Sequence, residues 1–176
     1  SWLSLDTSTG LLVGTPLNDD VGQHEVKLTV FDGVSTVEQP FVITVINTND
    51  LPTVDLPSSV TVFEDVSYSI DVATADVDLE DNVLLSFPVL PSWLSYNEEQ
   101  GKLVGTPLNS DVGEHSAKAK VEDGTSFIEH SMVITVTNVN DKPTIDSTEI
   151  NTVNEDTPYS YTLIASDIDA GDSVSM

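Results

Sequence analysis

The chain has no cysteine in its 176 residues, so neither disulfide bridges nor thiolate metal sites are available to it. That absence fits a reducing compartment, and it fits equally a secreted protein braced by metal. Positive charge is almost missing. Five Lys+Arg face thirty Asp+Glu, a formal charge of −25, which sets the surface against nucleic acid and against insertion into acidic membranes. No apolar run approaches the roughly 18 residues that a helical membrane span requires, and no signal peptide heads the sequence. Aromatics make up 6% against 39% hydrophobic residues, so any core is built mainly from aliphatic side chains. The sequence opens in mid-pattern at Ser1-Trp2-Leu3, which leads to the expectation of an excised piece of a longer protein.

What is present is repetition. Residues 2–54 align without gaps on 93–145, with 30 of 53 positions identical, and residues 51–85 align on 142–176 with 13 of 35 identical. Both alignments have the same offset, 91 residues. Shared landmarks include Leu12-Val13-Gly14-Thr15-Pro16-Leu17-Asn18 with Leu103-Val104-Gly105-Thr106-Pro107-Leu108-Asn109, and Asp32-Gly33 with Asp123-Gly124. The expected organisation is therefore the C-terminal part of one repeat at 1–50, a complete repeat at 51–141 and the N-terminal part of a third at 142–176.

Within a repeat the pattern is that of strands. Val26, Leu28 and Val30 alternate with Lys27 and Thr29, and Ala117, Ala119 and Val121 alternate with Lys118 and Lys120. This period of two buries one face. Val42–Ile46 and Val133–Val136 read as strands buried more evenly. Hairpins are expected at Asp32-Gly33, Asp123-Gly124 and Glu98–Gly101. Further strands near Val60–Phe63, Tyr68–Val72 and Leu84–Val89 bring the count to about seven, that of an Ig-like sandwich, and no segment carries a helical period. The predicted fold class is all-β, with tandem Ig-like seven-stranded sandwiches.

The joints between repeats carry the chemistry. Asn47-Thr48-Asn49-Asp50-Leu51-Pro52 and Asn138-Val139-Asn140-Asp141-Lys142-Pro143 place short side-chain oxygens at alternating positions before a proline that cannot continue a ladder. An extended linker of this kind suits a hard cation bound through oxygen.

The series Trp-Leu, Gly-x-Leu-x-Gly-Thr-Pro, Val-x-Asp-Gly and Asn-x-Asn-Asp-x-Pro resembles the dystroglycan-type cadherin-like repeats of large secreted bacterial proteins, over nearly the whole chain. The resemblance implies tandem seven-stranded sandwiches with calcium bound between them. It also implies a ligand set. Glu64 and Glu155 stand at the early Glu position, the pairs Asp76/Asp78 and Asp167/Asp169 at the Asp-x-Asp motif, and Asp32 and Asp123 at the late Asp. Asn47, Asn49 and Asp50, like Asn138, Asn140 and Asp141, form the linker, with Asn where classical cadherins begin with Asp. Asp20 and Asp111 replace a Glu with a shorter arm.

At the second joint Glu64, Asp111, Asp141, Asp167 and Asp169 are expected to gather with Asn138 and Asn140. Unit charges about 4 Å apart repel by roughly 4 kcal/mol at an effective dielectric near 20, so such a cluster calls for cations. Calcium, which accepts six to eight oxygens in loose geometry, suits it better than magnesium.

Catalysis finds little support. His24 and His115 occupy equivalent positions beside a Val-Gly turn, which points to structure, and His130 has no companion. The paired carboxylates recur at both joints, whereas a glycosidase needs one cleft with a differentiated acid and nucleophile. No nucleophile elbow, phosphate-cradling loop or zinc spacing is present. Trp2, Trp93, Tyr68 and Tyr159 follow the repeat and are expected to pack, leaving Tyr96 and Tyr161 as candidate exposed aromatics.

Two functions remain. One is an extracellular or cell-surface module for calcium-dependent adhesion or self-association, whose partners are other cadherin-like repeats, including head-to-tail contacts through a split domain. The other is a spacer or carbohydrate-binding appendage of a polysaccharide-active protein.

Overall fold

The computed structural model describes residues 1–78 and 81–175, and its regular structure is almost wholly strand. The chain divides into two compact units, one of residues 1–53, 74–84 and 121–128, the other of 54–73, 85–120 and 129–176. In chain order the strands are β1 (Leu3–Asp6), β2 (Leu11–Gly14), β3 (Gly22–Phe31), β4 (Thr36–Val45), β5 (Thr53–Asp55), β6 (Ser59–Phe63), β7 (Tyr68–Asp71), β8 (Ala73–Ala75), β9 (Leu84–Val89), β10 (Leu94–Asn97), β11 (Lys102–Gly105), β12 (Gly113–Glu122), β13 (Phe127–Thr137), β14 (Thr144–Ile145) and β15 (Ala165–Ser166). No helix among the described residues is long and apolar enough to cross a membrane.

The second unit holds the core. A three-stranded sheet of order β10-β11-β7 and a four-stranded sheet of order β6-β13-β12-β9 contribute its inner faces. Period-two alternation places Leu94 and Leu103 from the first sheet, and Val62, Ala117, Met132, Ile134 and Val136 from the second, in one cluster. Leu103 and Ile134 are 0% exposed. The parallel pairing of β6 with β13, Val60 opposite Ile134 and Val62 opposite Val136, brings an early strand beside the last one and gives the sheet its Greek-key connectivity. These seven strands form the predicted sandwich. Trp93 packs on the core, edge-on to Tyr68 at 6.5 Å.

In the first unit β1 pairs with β2, and β3 pairs only with β4. The register repeats that of the second unit: Leu3 faces Gly14 as Leu94 faces Gly105. Glycine is required there because a Cβ at either position would overlap the carbonyl of Trp2 or Trp93. The β3–β4 hairpin has the alternation of a core element, yet Val30 is 71% and Val34 90% exposed. Its sheet is two strands wide, and no residue of this hairpin reaches the burial of Ala117 or Ile134.

The structure differs from the sequence expectation in several places, first in burial: Val42–Ile46 and Val133–Val136 alternate rather than being buried evenly, with Val42 54% and Val133 44% exposed because one face of each strand is turned to solvent. A single 3-10 turn forms at Asn18–Asp20 and again at Asn109–Asp111, where only loop was expected. Tyr96 and Tyr161 are not free platforms: Tyr96 packs against Phe87 at 5.0 Å, and Tyr161 Oη lies 2.6 Å from Ser147 Oγ. Tyr159, expected to pack, is 54% exposed.

The histidines are explained by the 3-10 turns. His24 Nε2 contacts the Asp20 carbonyl at 2.5 Å and His115 Nε2 the Asp111 carbonyl at 2.6 Å, while each ring stands edge-on to Trp2 or Trp93. Each imidazole thus fastens a turn to the tryptophan beneath it.

Leu103→Ala should cost about 2–5 kcal/mol, whereas Leu12→Ala at the equivalent, half-buried position should cost less than half as much, as read by denaturant unfolding. Gly105→Ala should cost about 1–3 kcal/mol through its clash with the Trp93 carbonyl, read as a lowered melting temperature.

Candidate metal centre

In the first unit the linker is drawn onto the Asp76–Asp78 segment by its own main chain. Asp50 N donates to Asp78 Oδ2 at 2.7 Å, and Asp78 N donates to Asp76 Oδ1 at 2.9 Å. Asn49 Nδ2 donates to Asp123 Oδ2 and to Ser126 Oγ, both at 3.2 Å, and Asn18 Nδ2 reaches Asp50 Oδ2 at 3.4 Å. One oxygen from each of Asp76, Asp81 and Asp123 lies within 4.8 Å of the others. Asp78 is 5% exposed, and its carboxyl is held below the ordinary value by the Asp50 amide first, against the opposing cost of burial, with help from the Asn18 and Asn47 side chains. Asp123 is likewise lowered, by the Ser126 amide first and then by those of Thr125 and the Asn49 side chain, again against burial.

The second unit repeats the same construction 91 residues on. Asp141 N donates to Asp169 Oδ2 at 2.7 Å, Asp169 N to Asp167 Oδ1 at 3.0 Å, and Asn109 Nδ2 to Asp169 Oδ1 at 2.8 Å. Oxygens of Asp167, Asp169 and Asp172 lie within 4.8 Å of one another. A second trio joins them on the other side of the linker: Glu64, Asp65 and Asp141. Glu64 comes from the end of β6, where its N–H donates to Thr137 O at 3.1 Å, and its Oε1 accepts the Val139 N–H at 2.6 Å. It is 0% exposed, and its Oε2 takes no hydrogen bond from the protein. Asn138 turns its amide nitrogen toward both clusters, donating to Glu64 Oε1 at 3.1 Å and to Asp169 Oδ1 at 3.2 Å.

Of the residues expected to bind metal, the structure brings together Asn47, Asn49, Asp50, Asp76, Asp78 and Asp123 in one unit. In the other it brings together Glu64, Asn138, Asn140, Asp141, Asp167 and Asp169. Four lie outside these clusters. Asp20 Oδ2 and Asp111 Oδ2 each turn back to accept the Leu17 or Leu108 N–H at 2.9 Å and fasten the 3-10 turn. The Asn at the start of that turn reaches the cluster instead. Asp32 Oδ1 accepts the Val34 and Ser35 N–H groups at 2.9 and 2.7 Å, shaping its hairpin turn, and Glu155 is exposed. Asn18, Asn109, Asp65, Asp81 and Asp172 enter the sites without having been read from the sequence. The signal was there in part, since Asn18/Asn109, Asp65/Asp156 and Asp81/Asp172 are identities of the repeat.

The donor set is all oxygen, carboxylate-rich and loosely spaced, which fits calcium chemistry. Spacings of up to 4.8 Å between oxygens suit a cation whose bonds are about 2.3–2.6 Å long.

Among solved structures, extracellular cadherin domains 1–5 of protocadherin gamma B2 superpose with a TM-score of 0.56 at 18% identity, covering 96% of this chain and 37% of that one. Domains 1–2 of human protocadherin-24 give 0.46 at 17% identity over 77% of each chain. The endo-fucoidan hydrolase MfFcnA4 of glycoside hydrolase family 107 gives 0.41 at 23% identity over 79% of this chain, which spans only 22% of that enzyme. No curated protein matches the sequence. At these identities the protocadherin gamma B2 likeness speaks to the fold, a cadherin-like β-sandwich. The family model described as "Putative Ig domain" matches residues 1–46 and 51–138, most of the sequence, and the chain belongs to that immunoglobulin-like family.

Proposed function

We propose that the chain is a calcium-binding module of an extracellular or cell-surface protein, built from dystroglycan-type cadherin-like repeats divided at 1–50, 51–141 and 142–176. Its role is calcium-dependent adhesion or self-association. The observation that carries the reading is Glu64: a fully buried carboxylate with one oxygen unpartnered, beside Asp65 and Asp141. A buried charge left unpaired is costly, and Lys27, Lys102 and Lys118 pair with Glu38, Asp71 and Glu129 instead. Calcium supplies the missing positive charge when bound. The linker residues orient both trios: Val139 N–H holds Glu64 in one, and Asp141 N–H holds Asp169 in the other.

Adhesion is favoured over a sugar-binding appendage because Tyr96 and Tyr161 are engaged within the protein, and Tyr159, though 54% exposed, is tied by its hydroxyl to the Ile150 carbonyl. The exposed apolar residues Val30, Phe31, Val34 and Val37 of the β3–β4 hairpin support self-association, in which residues 142–176 of one copy lie along that hairpin in another. Light scattering that stays at the monomer mass at high protein and calcium concentration would overturn the head-to-tail part.

Calcium titrated into the metal-stripped protein should bind with Kd on the order of 10⁻⁴–10⁻³ M, the range of extracellular modules. The melting temperature should rise accordingly, by about 1.4 kcal/mol of stabilisation per independent site at ten times Kd. Identical melting curves in chelator and in millimolar calcium would sink the proposal.

Asp141→Ala and Asp167→Ala should each weaken calcium binding by about tenfold or more. Asp111→Ala should leave affinity within about threefold and instead lower stability by about 1 kcal/mol through the lost Leu108 N–H bond. Calorimetric titration paired with thermal melting separates the two classes.

A further inference from the structure

Asp65 stands immediately after Glu64, and its backbone is left-handed, with φ of +57°. Its counterpart 91 residues on, Asp156, has φ of +58°. An L-residue in this region is disfavoured, and glycine would adopt it without cost. The turn needs the conformation, because it lets Asp65 N–H donate to the Pro107 carbonyl at 2.8 Å. The turn does not need the carboxylate, which converges instead with those of Glu64 and Asp141. The centre they share has the independent mark of a ligand site, since Glu64 is 0% exposed and one of its oxygens has no partner.

We infer that Asp65 is a direct ligand of the divalent cation held by Glu64 and Asp141, and that its left-handed backbone is tolerated in exchange for that bond. The inference rests on the calcium reading above and adds a ligand to it. Two adjacent residues, Glu64 and Asp65, then grip the cation from the same turn. The long arm of Glu64 comes from the buried end of β6, and the short arm of Asp65 from the exposed side. With Asp141 they supply three negative charges to one centre. The left-handed φ is what lets consecutive side chains converge, because in extended strand they would point to opposite faces.

The test is calorimetric calcium titration of the full chain as wild type, Asp65→Gly, Asp65→Asn and Asp141→Ala, with melting temperatures in chelator. Asp65→Gly should weaken the same binding event that Asp141→Ala weakens, by about tenfold or about 1.4 kcal/mol. Its calcium-free melting temperature should be unchanged or higher, since glycine suits the positive φ. Asp65→Asn should fall between wild type and Asp65→Gly, having kept an oxygen but lost the charge. The inference is overturned if Asp65→Gly binds calcium within twofold of wild type while Asp141→Ala is weakened, which leaves the calcium reading intact. It is also overturned if Asp65→Gly loses affinity only together with calcium-free stability, the mark of a structural residue. If the wild type itself fails to bind calcium, both readings fall.

Discussion

Carboxylates held within a cation's reach of each other are the constraint on which the rest of this chain depends. At separations near 4 Å each like-charged pair opposes the fold by several kcal/mol at the dielectric of a protein surface. The sequence offers only five Lys+Arg in total, and salt bridges hold Lys27, Lys102 and Lys118 beside Glu38, Asp71 and Glu129, none of them a member of the clusters. The protein meets part of the repulsion with its own backbone: N–H groups of Asp50, Ser126, Val139 and Asp141 point at Asp78, Asp123, Glu64 and Asp169. Amide dipoles lower the carboxyl pKa values at Asp78 and Asp123, which keeps those groups charged rather than relieving the field by protonation. The remaining demand for positive charge is the physical basis of the metal reading.

The sandwich serves this arrangement by fixing strand ends. β6 delivers Glu64 to the cluster because its parallel register with β13 places Phe63 opposite Thr137, just before Asn138. β11 runs into Thr106-Pro107, whose carbonyl holds the Asp65 turn. A buried cluster of aliphatic side chains from both sheets keeps these ends in place without any disulfide. The site is therefore assembled from loops whose positions are set by register, and each register is set by which face of a strand is apolar.

Much of this was legible in the sequence, for a simple reason. Strands with one buried face write a period of two, so β3 and β12 could be read from alternation, and the 91-residue offset carried each reading into a second copy. The placement of side-chain oxygens was less legible. Asp20 and Asp111 sit in the motif where a ligand belongs, but a side chain one methylene shorter closes on the N–H three residues back and leaves the Asn two positions earlier to reach out. Asp65 showed only as a repeat identity with Asp156, since its role follows from a backbone angle that composition does not reveal for a residue other than glycine. The platforms imagined at Tyr96 and Tyr161 failed because packing and a serine hydroxyl, both long-range choices, claimed them.

The linker is held by its peptide groups. Val139 and Asp141 fasten it through N–H donors, and so does Asp50 in the first unit. A bond made by the main chain survives any substitution that keeps the backbone course, so positions 48/139 and 51/142 are free to drift. They have drifted within this one molecule, from Thr48 to Val139 and from Leu51 to Lys142, across joints that keep the same hydrogen bond from the following or preceding aspartate. The outward chemistry of each linker can therefore change, apolar at Leu51 and cationic at Lys142, while the main-chain bonds of Asp50 and Asp141 stay as they are.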